Sequence, residues 1–383
     1  MSGPGTEKPY DELRSPSPWK GEGRLSPQFR PHHGGERGIA FRGHLAVSVL
    51  VALNLVAAVT VRDLDLCLPT ANDALLKAGH DADFFQPTVD GGVESGMFGC
   101  VRNDGRRFHE GVDIKCLQRD RHGEPTDPVH AVADGDVAFI NAKPGLSNYG
   151  RYVILQHDWD GVQVFTLYAH LGAVAPGLVA GQPVKKAQVI GTLGHSTNTR
   201  ERISRDRAHL HFEVNFLLNP NFHIWYPKHD PKAPPFGNFN GQNLIGLDPA
   251  AFLRAYAADR NLNFARYVAM QTVAFTALVG ARPLPWLTLH PEQVQPTSGI
   301  PVAYEIGMTA WGLPVVVWPR TTAEISEPQH RVLQRGLPVL HRVNEAELAR
   351  VSCPGLVARS ARGSGWVLSA RGREYFEMLT YTP

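Results

Sequence analysis

The run His209-Leu210-His211-Phe212-Glu213 constrains this chain more than any other segment. In an extended strand side chains alternate between faces. Leu210 and Phe212 then enter a core, and His209 and His211 share the opposite face. Two imidazoles side by side are costly to bury without partners. One metal ligand beside one acid–base residue accounts for the pair economically. Two other stretches supply residues of the same chemistry: His109-Glu110-Gly111-Val112-Asp113-Ile114 and Tyr168-Ala169-His170-Leu171.

His109 and Asp113 are four apart, a spacing that would share one face of a helix. Gly111 and the β-branched Val112 and Ile114 argue instead for a turn running into a strand. Gly111 lets the backbone bend so that both side chains reach one ion. Imidazole nitrogen and carboxylate oxygen bind Zn²⁺ at about 2.0–2.2 Å, and a catalytic zinc keeps three protein ligands and one open position. His109, Asp113 and one of His209 and His211 complete such a set. Taken singly, these residues equally suit an exposed loop histidine, an aspartate satisfied by backbone amides and a solvated strand face. It is the combination that points to a metal.

The chain resembles the LytM/lysostaphin-type zinc endopeptidases of bacterial cell walls. The resemblance runs from about Gly96 to about Pro220. It rests on Ser95-Gly96-Met97-Phe98-Gly99, on Pro128 to Val137, on Tyr149 to His157, and on the turns Gly181-Gln182-Pro183-Val184-Lys185 and Ile190-Gly191-Thr192-Leu193-Gly194, as well as on the three stretches above. It implies a mainly β catalytic domain of antiparallel sheets. It places zinc on His109, Asp113 and His211, with His170 and His209 as non-ligand histidines beside the water and the scissile carbonyl. One of these two acts as general base and the other supports the oxyanion or the leaving amine; the resemblance does not say which. All five positions are filled. One departure concerns the segment His195–Ala208, which is longer than the family's usual short glycine-rich loop and carries Arg200, Arg202, Arg205 and Arg207. It would border the substrate groove, or serve only as a solvated charged loop.

Cys67, Cys100, Cys116 and Cys353 are the only cysteines. Cys100 and Cys116 bracket the first ligand segment, on elements that the resemblance makes neighbours, so a disulfide between them is expected. No Cys-x-x-Cys spacing suggests a further zinc site. His157 precedes a turn and reads as structural. His130 reads as a packing or groove-edge residue, and no role attaches to His195. His32 and His33 lie in a polar tail.

The net charge of +2 carries no nucleic-acid signal, and the 43% hydrophobic content is that of an ordinary globular protein. Residues 1–36 have the composition of a disordered leader. Residues 37–61 place Arg37 and Arg42 before an apolar run, Leu45 to Val61, which reads as a signal peptide or membrane anchor and implies export to the periplasm or cell envelope. Residues 62–95 form a lead-in with a short helix near Ala71–Ala78. Residues 96–250 form the zinc metallopeptidase domain, ending in a long loop, Phe216–Gly246, over the groove. Helical spacing between Asp248 and Tyr267 puts Phe252, Leu253, Tyr256 and Phe264 on an apolar face. Residues 270–383 form an accessory α+β domain, closing on a strand and a Ser369-capped helix.

The expected function is therefore zinc-dependent hydrolysis of peptide bonds in peptidoglycan. The alternatives are a non-catalytic module that keeps the fold to bind or activate, and a zinc peptidase acting on a protein substrate.

Overall fold

The structure, a computed structural model, describes residues 64–383 apart from Ala233, Ser352, Pro354 and Arg362. The leader and the apolar segment expected within 1–61 lie outside the described residues. No helix among the described residues is long and apolar enough to cross a membrane.

Alternating sequence becomes antiparallel sheet throughout the middle of the chain. A two-stranded ribbon pairs β1 (Gly99–Arg102) with β2 (Arg107–His109). The strand β3 (Val112–Lys115) follows across Gly111. A three-stranded sheet joins β4 (Pro128–His130), β8 (Ala173–Val174) and β10 (Val189–Thr192). The main sheet contains β5 (Gly135–Asn141), β6 (Arg151–Trp159), β7 (Val162–Leu171), β9 (Pro183–Val184), β11 (His209–Leu217) and β12 (Leu244–Leu247). Its order is β12–β11–β7–β6–β5–β9, with β3 also paired to β11. Thus β11 is gripped on both edges: β7 runs along one side, while β3 and β12 share the other.

Leu210 and Phe212 of β11, Val112 and Ile114 of β3, and Tyr168 of β7 are fully buried in the principal core. The opposite face of β11 carries His209, His211, Glu213 and Asn215, all buried.

The later chain departs from expectation in places. The long loop expected over Phe216–Gly246 contains a helix, Phe222–His229, despite Pro227 inside it. Phe222, Trp225 and Tyr226 fall at helical spacing; Phe222 and Trp225 are buried, and that burial outweighs the one backbone bond proline removes. The helical region from Asp248 is two helices, Pro249–Ala258 and Phe264–Ala269, each started by a side-chain cap, from Asp248 and Asn263. The four residues of the expected apolar face are buried. The C-terminal region is α+β. Its strands β13 (Phe275–Gly280), β14 (Ala303–Met308), β15 (Pro314–Arg320) and β16 (Val339–Val343) form an antiparallel sheet in the order β15–β14–β13–β16. It closes on the helix Ala370–Thr380, whose N-cap Ser369 accepts from the Gly372 amide.

This region packs against the ribbon beside the histidines. Trp311 lies against Phe98 and Phe108, with ring centroids 5.4 and 6.3 Å away, and its Nε1 donates to the Gly246 carbonyl at 2.8 Å. The disulfide corrects the expectation: Cys100 bonds Cys353, 253 residues away, and Cys116 is free. The Cys116 thiol instead donates to the Gln118 carbonyl and to Asp127. Cys100 sits on the ribbon face that meets the C-terminal region, with its sulfur also accepting from the Cys353 amide at 3.2 Å. Sequence nearness of Cys100 and Cys116 says nothing about this packing.

Candidate metal centre

Register places the first three residues. Asp113 of β3 lies opposite His211 of β11, and His211 lies opposite Ala169 of β7. His109, at the end of β2, is carried to the same point by the bend at Gly111. That bend needs glycine, because a Cβ there would lie 2.4 Å from the Phe212 carbonyl oxygen. His109 Nε2, His211 Nδ1 and Asp113 Oδ1 form a triangle with sides of 3.0, 3.0 and 3.2 Å. These three residues form a buried group whose geometry could hold a metal ion.

The neighbours fix which atoms face that triangle. His109 Nδ1 donates to the Met97 carbonyl at 2.6 Å, which leaves the Nε2 lone pair pointing inward. His211 Nε2 donates to Glu213 Oε1 at 2.6 Å, so Nδ1 faces inward. Two ring nitrogens and a carboxylate oxygen then converge, a set that only a proton or a cation between them reconciles. Tetrahedral ligands about 2.0–2.1 Å from a zinc ion sit roughly 3.3 Å apart, close to the observed spacing. The N,N,O donor set also suits zinc.

Electrostatics agree with that reading. Burial alone would raise the Asp113 carboxyl, but the Arg102 guanidinium and the His209 and His109 rings hold it well below the usual range. Arg102, on β1, donates to Asp113 Oδ2 and lies 2.8 Å from His109 Nε2. Burial holds His109 down to about 4, so it is neutral near pH 7. Burial opposes protonation of His211, yet the Asp113 and Glu213 carboxylates flanking it push it up to about 9. Near pH 7 without a metal, a proton occupies Nδ1, in the position a cation would take.

Residues 107–221 match the model of peptidase family M23. That segment, under a third of the chain, is similar to peptidase family M23. Solved structures similar to this chain include a putative glycyl-glycine endopeptidase lytM from Ruminococcus gnavus, at 24% identity and TM-score 0.27, with 42% of this chain and 51% of that chain covered. The chain thus spans about half the length of that protein. Another is the catalytic domain of the antimicrobial peptidase lysostaphin from Staphylococcus simulans, at 21% identity and TM-score 0.25, covering 45% and 89%. A third is a zinc-containing peptidase from Vibrio cholerae, at 26% identity and TM-score 0.24, covering 34% and 36%. No curated protein matches the chain.

His170 and His209, the two histidines expected beside the metal, stand together next to the triangle. His209 shares the β11 face with His211. Alternation along β7 from the core residue Tyr168 would send His170 into the core. It does not go there, because His170 has φ 59°, a left-handed conformation that breaks the alternation. Its ring lies 4.9 Å from that of His209 and 5.8 Å from that of His211, centroid to centroid. Such backbone strain costs roughly 1–3 kcal/mol and persists only where the surroundings enforce it. Here the His170 amide donates to the Tyr149 carbonyl, and Nδ1 donates to the Ser196 carbonyl, each at 2.9 Å. His209 Nδ1 donates to the Arg207 carbonyl at 2.8 Å. Each ring's Nε2 is thus left unprotonated; that of His209 lies 3.6 Å from Asp113 Oδ2. Burial, with added repulsion from His209 and His211, holds His170 well below its usual range; burial also lowers His209.

Sequence reasoning assigned no role to Arg102, Glu213 or Tyr149. Glu213 carries a signal, since it shares the β11 face with His209 and His211. It accepts from His211, from the Tyr149 hydroxyl at 2.8 Å and from Asn215 at 2.6 Å. Nothing in the sequence points to Arg102, whose approach depends on how the ribbon folds back over the sheet. His157 is buried and bonded to the Asp134 carbonyl and Thr166. His195 pairs with Glu124 at 3.1 Å.

Proposed function

We propose that this protein is a zinc-dependent endopeptidase that hydrolyses peptide bonds of cell-wall peptidoglycan outside the cytoplasm. The observation that carries the peptidase chemistry is the buried triangle of inward-facing donors beside two neutral histidines. His109, Asp113 and His211 hold the metal. Zinc, when bound in such a site, supplies Lewis acidity and a water whose pKa is lowered to about 7. Glu213 and the Met97 carbonyl orient the two ligand rings, and Arg102 keeps Asp113 ionised. His170 and His209 are neutral near pH 7 and can accept a proton at Nε2. One takes the proton of the attacking water, and the other, once protonated, serves the oxyanion or the leaving amine. The peptidoglycan substrate is supported by the motif resemblance to wall endopeptidases. Export is supported by the apolar segment behind Arg37 and Arg42 and by the Cys100–Cys353 disulfide, a bond that persists in oxidising compartments.

The test is release of new amino termini from purified peptidoglycan, with and without a chelator, alongside zinc content. The active protein releases them only when zinc is present. His211→Ala loses zinc and activity together, whereas His170→Ala loses activity and retains zinc. Full turnover by the His170 variant would overturn the assignment, and no cleavage by fully zinc-loaded protein would favour a binding module.

A further inference from the structure

Beside the two neutral histidines the surface sinks into a cleft of about 610 Å³. Its wall includes Glu124, Arg151, His195, Ser196, Thr197 and Arg202. The cleft shares its wall with the residues that hold the proposed reacting groups. Ser196 supplies the carbonyl that holds His170 Nδ1, and Gly194, also in the wall, bridges His209. Gly150 backs Ser196 so closely that a Cβ there would lie 2.1 Å from its oxygen. A peptide whose scissile bond reaches His170 and His209 can extend a neighbouring residue to this cleft, whose wall residues Ser196 and Gly194 hold those two histidines.

The charges of the wall are not balanced. Glu124 is already engaged by His195 Nε2 at 3.1 Å and by Arg205 Nε at 2.7 Å. Three of the loop's four arginines bear on the cleft or its surroundings. Arg205 is held by Glu124 and the His122 carbonyl, and Arg207 by the Pro87 carbonyl. Arg202 is exposed, and its side chain has no partner among the described residues. Arg151 bonds only the neutral Gly172 carbonyl, at 3.1 Å. Two guanidinium groups without a counter-charge thus border a cleft beside the reacting histidines.

We propose that this cleft is a substrate subsite that takes a carboxylate-bearing residue of the cleaved peptide, with Arg202 and Arg151 setting the preference. The proposal rests on the peptidase reading above. A guanidinium binds a carboxylate through two parallel hydrogen bonds, a geometry that an amide cannot match in charge. Wall peptides offer both forms, since their acidic residues occur with free or amidated carboxyls.

The experiment uses a pair of soluble wall peptides differing only in whether the acidic residue beside the cleaved bond is free or amidated. Steady-state kinetics and calorimetric binding are measured for the zinc-loaded protein, for Arg202→Gln and for Arg202→Glu, with zinc content determined in each. The wild type favours the free acid by about tenfold, mainly through KM, the scale of one partly exposed charged hydrogen bond. Arg202→Gln shrinks that ratio, and Arg202→Glu turns it toward the amide. The same ratio in all three proteins overturns the subsite. If the wild type cleaves neither peptide, the peptidase reading fails. Binding then decides the subsite alone: a wild-type preference for the free acid that Arg202→Glu reverses supports it, and equal affinity for the two peptides overturns it.

Discussion

Glu213→Gln isolates one carboxylate without disturbing its surroundings. Glu213 accepts three hydrogen bonds, from His211 at 2.6 Å, Tyr149 at 2.8 Å and Asn215 at 2.6 Å. Glutamine has the same shape and can keep the first two through its oxygen. Its new amide donor needs an acceptor, and Asn215 Oδ1 is buried with no partner, so a rotated Asn215 amide can supply one. The fold should survive, and what disappears is the charge behind the His211 ring. Removing the outer partner of a ligating histidine typically weakens metal binding 10–100-fold, or about 1.4–2.7 kcal/mol. Part of that loss is returned at neutral pH. Without its second carboxylate, His211 holds the competing proton less tightly than the value of about 9 it has with both. Zinc affinity should therefore be measured by competition with a chromogenic chelator both at neutral pH and above pH 9, where the offset vanishes. The expected result is a larger loss at the higher pH, with an unchanged circular dichroism spectrum. An affinity equal to wild type above pH 9 would refute the view that Glu213 tunes His211.

His157 predicts acid sensitivity. Burial holds its ring down to about 4 against 6.5 in the unfolded chain, so it is neutral when folded. Its contribution is complete above pH 6.5 and is lost as pH falls towards 4. Roughly 3 kcal/mol of urea-unfolding stability should go over that interval, and His157→Gln should flatten the slope; equal slopes would count against it. The Cys100–Cys353 bond closes a span of 253 residues. Its reduction, or Cys353→Ser, should cost up to about 5 kcal/mol on the chain-entropy view and lower the melting temperature, whereas Cys116→Ser should leave the response to reductant intact. Gly111→Ala should prevent zinc binding or folding, because the added carbon would strike the Phe212 carbonyl, while Gly145→Ala, which meets nothing within 4 Å, should be neutral. A soluble, zinc-loaded Gly111→Ala protein would refute the close approach of β3 and β11.

The parts of this molecule legible in sequence are those governed by local periodicity. The two-residue repeat of β11 separates Leu210 and Phe212 from His209 and His211 without any tertiary information, and the structure keeps that division. The β-rich middle, the Ser369 cap and the C-terminal α+β character are likewise written in alternation, turn residues and cap chemistry. Residue-level legibility ends where position depends on distant packing or on a broken alternation. His170 joins His209 and His211 only through a left-handed backbone that breaks the alternation of β7. Cys100 finds Cys353 because the C-terminal region folds onto the ribbon, and Arg102, two residues on, reaches Asp113 through that same ribbon.

One physical consideration ties these pieces to function. Along a single face of β11, His209, His211, Glu213 and Asn215 are all at least 95% buried. A chain optimised for stability alone would fill that face with apolar side chains, because a buried polar group without a partner costs about 1–3 kcal/mol. Instead the column is compensated residue by residue: Arg207 for His209, Asp113 and Glu213 for His211, Tyr149 and Asn215 for Glu213. The compensation brings two ring nitrogens and a carboxylate oxygen within 3.0–3.2 Å of one another, with the Arg102 guanidinium against two of the three residues. It also sets the His170 and His209 rings side by side, 4.9 Å apart centroid to centroid. Packing does not require that arrangement, and the proposed metal beside a proton acceptor would account for it. The strain at His170 fits the same proposal, since its left-handed backbone brings that ring to His209.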